Sequence, residues 1–267
     1  MLETYSGATR LVPIVGDPIA QVKAPAGVTA AFAARGADTI CVPMQVAPAD
    51  WPAFVALMRA MKNVDGLIVT VPHKFAAFDA CDRVSERAGF LRSVNTIRRA
   101  PDGRLSGDMF DGLGFVAACR GHGCSFAGRR ALLVGAGGAG TAIAHAVATS
   151  GVTALGLADL DCVRRDELVA RLCTAGLPVV ASAADAAGYD IVLNATPLGM
   201  RPGDPLPVAA NHLTARMFVG DVVTMPEVTP LIAAARALGC RTSNGVAMFL
   251  EVRDLMVDFL LATADAA

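Results

Sequence analysis

Three glycines, Gly135, Gly137 and Gly140, follow the apolar run Ala131-Leu132-Leu133-Val134 with the spacing G-x-G-x-x-G. Glycine at these places serves a tight turn, close approach of backbone N–H groups to a pyrophosphate, and close packing of a helix on a strand. The segment Gly135, Ala136, Gly137, Gly138, Ala139 is therefore read as a dinucleotide-binding loop. The helix expected over Thr141–Thr149 would present its free N–H groups and the positive end of its dipole to the phosphates. A second strand is expected to end at Asp159, about the distance downstream at which such sites place a ribose-binding carboxylate. A carboxylate there accepts hydrogen bonds from the ribose diol of NAD and repels the 2′-phosphate of NADP. Asp161 adds to the repulsion, and Arg164 and Arg165 offset it if they turn toward the ribose. NAD is the expected cofactor, with NADP second.

The elements that must hold this loop are legible as alternating β and α patterns. In the first hundred residues strands are predicted at Leu11–Gly16, Ile40–Met44 and Gly66–Val71, with helices over Ala26–Arg35 and Pro48–Lys62. Ser93–Arg98 and Arg104–Asp108 flank the turn Pro101-Asp102-Gly103 and are read as a hairpin. A helix is expected to begin at Asp111. Beyond it, strands are predicted at Ala131–Val134, Ala154–Ala158, Val179–Ala181, Ile191–Asn194, Phe218–Val222 and Arg241–Ser243, and an amphipathic helix over Met248–Leu261. This alternation implies an α/β protein with mostly parallel, doubly covered sheets. A Rossmann-type dinucleotide domain is expected over 109–244, and a substrate domain with a mixed or mostly parallel sheet over 1–108 and 245–267.

With 23 Lys+Arg against 24 Asp+Glu, the chain has no charge surplus to attract nucleic acid or an anionic membrane. The stretch from Ala131 to Ala158 carries no Asp, Glu, Lys or Arg, yet its glycines break it into strand, turn, helix and strand. It is read as a buried βαβ unit and not as a membrane span. Seven cysteines without a C-x-x-C pair or metal-ligand spacing suggest buried thiols in a reducing compartment and no metal site. No apolar signal core follows Met1, so a cytoplasmic location is expected.

Seven short segments together resemble the shikimate and quinate dehydrogenases. They are G-D-P-I at Gly16–Ile19, V-T-V-P-H-K at Val69–Lys74, V-N-T at Val94–Thr96, D-G-x-G at Asp111–Gly114, the glycine loop, N-A-T-P-L-G-M at Asn194–Met200 and G-V-A-M at Gly245–Met248. The resemblance implies two α/β domains, the reacting groups in the cleft between them, and hydride transfer between a nicotinamide and a ring alcohol or ketone. It assigns the proton handling to Lys74 and Asp111. That chemistry is reasonable, since oxidising an alcohol requires removal of its proton as hydride leaves carbon. The resemblance further implies that Thr70 and Asn95 bind ring hydroxyls, and that Glu86, Asn194, Thr196, Pro197, Val222, Gly245 and Met248 line the cofactor.

The substrate side departs from the family pattern. The two serines that hold a carboxylate in the family correspond here to Val22 and Ala24, leaving Gln21 or Lys23 to replace them. The family tyrosine after the fifth strand corresponds to Thr224, the glutamine of the last helix to Val252, and N-T-D to Met109-Phe110-Asp111. Each unsatisfied carboxylate partner costs about 1–3 kcal/mol, so an altered substrate is expected. The reading is an NAD-dependent alcohol dehydrogenase acting on shikimate, quinate or a related cyclic hydroxy acid, as a monomer or homodimer. Two alternatives are a non-catalytic NAD-binding module and a true shikimate dehydrogenase that uses Lys23.

Overall fold

The computed structural model describes residues 5–20, 22 and 24–262. The chain forms two compact units, Met1–Phe110 with Arg253–Ala267, and Asp111–Val252.

The first unit is built on a six-stranded sheet of order β2-β1-β3-β5-β6-β4. Its strands are β1 (Arg10–Gly16), β2 (Thr39–Gln45), β3 (Gly66–Val69), β4 (Arg83–Val84), β5 (Thr96–Arg99) and β6 (Leu105–Asp108). The Val- and Ile-rich β1 and β3 run parallel at the centre and are buried, as expected for strands covered on both faces. The hairpin around Gly103 makes the sheet mixed, because β5 is antiparallel to both β3 and β6. Helices α1 (Ala24–Ala34), α2 (Trp51–Ala60), α3 (Lys74–Ala80) and α4 (Glu86–Leu91) connect the strands. The helix predicted over 48–62 is in fact a 3-10 turn at Pro48–Asp50 followed by α2. A Pro at position 52 fits the first turn of α2, where no N–H is needed.

The second unit is a six-stranded parallel sheet of order β12-β11-β10-β7-β8-β9. Its strands are β7 (Arg130–Val134), β8 (Ala154–Ala158), β9 (Val179–Ala181), β10 (Ile191–Asn194), β11 (Phe218–Asp221) and β12 (Arg241–Ser243). Numbered within the unit, the order is the doubly wound 3-2-1-4-5-6 of dinucleotide-binding sheets, with its switch point between β7 and β10. The unit holds helices α5 (Asp111–Gly121), α6 (Gly138–Ala148), α7 (Cys162–Thr174) and α8 (Pro230–Ala237), and the unit boundary falls within α9 (Gly245–Leu261). Side chains lend their caps: the Asp161 carboxylate accepts from the Arg164 N–H, and the Thr229 hydroxyl from the Ile232 N–H.

Gly112 lets α5 lie directly on α6, since a Cβ there would press on the Ala142 carbonyl. Val252 packs the same way on Gly114, so the residue at the position of the family glutamine is a core residue here. The charge-free run 131–158 is β7, the glycine loop, α6 and β8. No helix of the described residues is long and apolar enough to cross a membrane. The thiols correct one expectation. Cys41, Cys119, Cys124 and Cys240 are buried, with Cys41 pushed up to about 12 by desolvation, but Cys162 and Cys173 are exposed. Both lie on α7, whose outer face meets solvent.

Candidate active site

In the first unit, backbone hydrogen bonds draw three of the expected residues together. Val69, at the end of β3, donates its N–H to the Asn95 carbonyl at 2.7 Å, and Val94 donates to the Lys74 carbonyl at 3.0 Å. Thr70, the next residue, is held by its own N–H to the Val15 carbonyl at 2.9 Å. Thr70, Lys74 and Asn95 therefore surround the carboxyl ends of β1 and β3. Gly16 permits this crowding, because a Cβ there would strike the Thr70 methyl group and the Val71 carbonyl.

Lys74 is half-buried and opens α3. Its position is set from behind by His73, which is buried, stacks on Trp51 at 4.8 Å between ring centroids, and bonds through Nε2 to the Val46 carbonyl at 2.7 Å. Asn95 is 2% exposed. Its amide oxygen accepts from the Thr96 hydroxyl at 3.0 Å and the Phe110 N–H at 3.1 Å, so that oxygen is committed to the fold. Nearby, Asp108 pairs with Arg87 and accepts from Ser85, a buried anchor that sequence reading missed. Glu86 is exposed in the first turn of α4. Val22 is half-buried and Ala24 buried, so neither offers a hydroxyl. Gln21 and Lys23 lie outside the described residues.

In the second unit, the glycine loop, Asp159, Asn194, Thr196, Pro197, Val222 and Thr224 lie at the carboxyl ends of β7, β8, β10 and β11, the location where open parallel sheets bind ligands, while Gly245 and Met248 follow β12 and Asp111 opens α5. Gly135 takes φ +107° and has its N–H on the Ala158 carbonyl at 2.8 Å. Gly140 touches the Gly135 carbonyl where any Cβ would intrude. By contrast, nothing lies within 4 Å of a Cβ built on Gly137 or Gly138. The protein's own packing demands glycine at 135 and 140, and leaves open backbone at 137 and 138. The first N–H groups of α6 start there, Gly137 caps the helix without a side chain, and Ala139 is half-buried in its first turn. Such an N-terminus can hold an anion, and its open backbone admits a bulky one. The helix begins at Gly138, three residues before the expected start.

Asp159 closes the loop from the side. Its carboxylate accepts from the N–H of Ala136 at 2.6 Å, the N–H of Asp161 at 2.8 Å and Arg164 Nη2 at 2.8 Å. Burial acts to raise its pKa, but these donors outweigh it and hold the carboxyl below its ordinary value. Arg165 is occupied by Asp166 at 2.7 Å.

Asn194 is fully buried, and both ends of its amide are used. Its oxygen accepts from the Thr196 N–H and hydroxyl at 3.0 and 2.6 Å, and its nitrogen donates to Asp221 at 3.0 Å. It shapes the loop carrying half-buried Thr196 and exposed Pro197. Asp221 also accepts from the Val223 N–H at 3.0 Å and the Thr229 hydroxyl at 2.7 Å. Sequence reading missed this network, although an Asp ending a buried strand is itself a signal. Val222 donates to the Asn194 carbonyl at 3.1 Å. Gly245 comes so close to the Val222 and Val223 carbonyls that a Cβ would not fit. Met248, one turn along α9, is half-buried, and Thr224 is exposed. Asp111, the first residue of α5, is half-buried.

Burial pushes the Asp221 carboxyl above its ordinary value against the pull of its donors. A raised value in the folded state means that this group stabilises the fold below the unfolded pKa of about 3.9, and that the contribution is lost as pH rises through the folded value. Asp221→Asn removes that dependence while keeping an acceptor oxygen. It is expected to change neutral-pH stability by less than about 1 kcal/mol, whereas Asp221→Leu, which strands several donors, loses about 3 kcal/mol or more. Urea denaturation of the three proteins across a pH series checks both.

Residues 14–97 match the family model for the shikimate dehydrogenase substrate binding domain. A shikimate dehydrogenase (NADP(+)) of Rubrobacter xylanophilus is 39% identical over 250 residues, spanning 91% of this chain and 88% of that one. Among solved structures, the ligand-free 5-ketofructose reductase of Gluconobacter sp. strain CHM43 superposes with a TM-score of 0.88 at 28% identity, covering 96% and 94% of the two chains. Quinate dehydrogenase from Corynebacterium glutamicum in complex with NAD gives 0.85 at 31% identity, covering 95% and 94%. A doubly wound sheet with a glycine loop at its switch point, a companion mixed sheet carrying V-T-V-P-H-K, and similarity running the length of the chain place it in the shikimate/quinate dehydrogenase family of nicotinamide-dependent oxidoreductases.

Proposed function

We propose that the chain is an NAD-linked dehydrogenase of a cyclic polyol or hydroxy acid related to shikimate or quinate. The observation that supports NAD is the charge arrangement around the glycine loop. Asp159 stands beside the loop, and the two cations that could greet a 2′-phosphate already face carboxylates: Arg164 on Asp159, Arg165 on Asp166. A 2′-phosphate would have to displace those pairs, whereas a ribose diol can donate to Asp159. The relative from Rubrobacter xylanophilus is named for NADP and the Corynebacterium structure holds NAD, so the family itself leaves either cofactor open.

When bound, the nicotinamide accepts or returns the hydride at the carbinol carbon. On oxidation the substrate O–H proton passes to Lys74, the C–H electron pair leaves as hydride, and the ring carbon becomes a ketone. Reduction reverses each transfer. The family motif that Asp111 opens gives its carboxylate a role at the substrate hydroxyl, while Thr70 and Asn95 set the ring. Gly137, Gly138 and Ala139 would hold the pyrophosphate with Gly135 and Ala136, and Thr196, Pro197, Val222, Gly245 and Met248 would frame the nicotinamide half. The apolar Val22 and Ala24, together with Thr224, support a ligand less dependent on a bound carboxylate, and the similarity to a reductase named for a keto sugar points the same way.

Initial rates with NAD and NADP against shikimate, quinate and neutral cyclic polyols test the reading. NAD-linked turnover of a substrate other than shikimate is expected. Efficient NADP-linked shikimate oxidation would overturn both the cofactor and the substrate assignment, and its loss in Lys23→Ala would transfer the carboxylate to Lys23. Asp159→Asn is expected to lower kcat/KM for NAD about 10- to 100-fold, the value of one or two charge-assisted hydrogen bonds, and to narrow the gap to NADP.

A further inference from the structure

A pocket of about 490 Å³ opens on the sheet of the first unit, with neither Thr70 nor Lys74 in its lining, which includes Arg83, Ser85, Arg98, Ser106, Asp108 and Phe259. Its floor is a row set by strand register. Arg83 on β4 stands opposite Ser106 on β6, Ser106 opposite Arg98 on β5, and Arg98 opposite Gly66 on β3. Residues paired in register share a face of the sheet, so the two arginines flank Ser106 on one side, with their Cα atoms about 10 Å apart across two strand spacings. At the Gly66 end the row is covered, because Leu260 of α9 occupies the place of a Cβ there. The helix stops at Leu261, and along the row Ser106 is half-buried and Arg83 exposed.

The charge balance within the pocket is uneven. Asp82 is neutralised by Arg59 at 2.7 Å, Asp108 by Arg87, and Arg104 by Asp102 at 2.6 Å. Among the described residues Arg98 donates to two carbonyls, those of Phe259 at 3.3 Å and Ala262 at 3.0 Å, and its guanidinium carbon lies 5.0 Å from the centre of the Phe259 ring. That guanidinium is held in place with no carboxylate partner among the described residues. Arg83 makes no ion pair or hydrogen bond among the described residues, nor does the Ser106 hydroxyl. Two guanidinium groups without a carboxylate partner and a hydroxyl without a hydrogen bond, among the described residues, thus line one concave space of ligand size, which falls in the range of about 300–1,000 Å³ usual for small-molecule sites.

We infer that this pocket is a second ligand site, for a compact metabolite bearing a phosphate or several carboxylates, clasped by Arg83 and Arg98 across Ser106. Planar guanidinium forks match such oxyanions bidentately, and a fixed, partly desolvated pair binds them with little reorganisation. The site is independent of the dehydrogenase reading, because neither the glycine loop nor Lys74 contributes to it.

Calorimetric titration of the full chain with inorganic phosphate, glucose 6-phosphate and citrate, at low ionic strength with sodium chloride as control, tests it. Saturable binding of one equivalent is expected, weakened about ten-fold or more in Arg83→Ala and less in Ser106→Ala, with the melting temperature of both variants unchanged. The two phosphate probes and citrate separate phosphate from carboxylate recognition. Absence of saturable binding overturns the inference. So does binding of equal strength in Arg83→Ala, since an anion held at the dinucleotide loop would be indifferent to that residue.

Discussion

Lys74→Ala is expected to lower kcat by about 10²- to 10⁴-fold, the usual value of a positioned proton-transfer group, while leaving the dissociation constant for NAD within about two-fold. The contrast follows from where the lysine is anchored. Its carbonyl takes the Val94 N–H, and the preceding His73 is clamped between Trp51 and the Val46 carbonyl. Truncation at Cβ disturbs none of these contacts, so the fold and the dinucleotide loop survive the change. Stopped-flow and steady-state rates on the best substrate, with a melting curve as control, measure it. Unchanged turnover would remove Lys74 from proton handling. A smaller loss in Asp111→Asn is expected, because an amide can still orient a hydroxyl.

The second large effect concerns the glycine loop, where two substitutions of the same size are expected to behave oppositely. Gly140→Ala places a methyl group against the Gly135 carbonyl, so the loop and the start of α6 must separate. Overpacking of this kind costs about 1–3 kcal/mol, and the displaced loop is expected to lose most of its affinity for the dinucleotide. Gly137→Ala meets nothing of the protein within 4 Å, and its φ of −70° suits an L-residue. Stability is expected to change by less than about 1 kcal/mol, since alanine is a poorer N-cap than glycine but restricts the unfolded chain. Dinucleotide affinity is nevertheless expected to fall by about ten-fold or more, as the new methyl group stands where the pyrophosphate approaches the backbone. Chemical denaturation and fluorescence titration with NADH separate the two variants. Full NADH affinity in Gly137→Ala would move the pyrophosphate away from this part of the loop.

Much of the second unit was legible because its strands are buried on both faces. Such strands read as short runs of Val, Leu and Ile bounded by turn residues, and the predicted strands from Ala131 to Ser243 coincide with β7–β12 to within a residue at each end. The glycine loop was equally legible, since its spacing is a local consequence of a turn and a close contact. The first unit was harder. The stretch 74–91 contains α3, β4 and α4, elements of seven, two and six residues that are too short to leave a periodic pattern. Helix starts were also displaced, at Gly138 and Gly245 instead of Thr141 and Met248, because glycine carries low helix propensity and hides a first helical turn; of the two, Gly245 is held by close contact with the Val222 and Val223 carbonyls, while Gly138 stands open.

The sequence by itself determined the α/β class, the doubly wound sheet, the glycine loop after β7 and the family, because each depends on side-chain type at short spacing. Only the tertiary structure decided which charges meet. Arg164 falls on Asp159, Asn194 and Thr229 converge on Asp221, and Arg83, Ser106 and Arg98 line up across three strands. Polar partners of this kind are brought together by strand register and loop course between distant segments, and a side chain's type constrains how many bonds it can make but not which residue will make them.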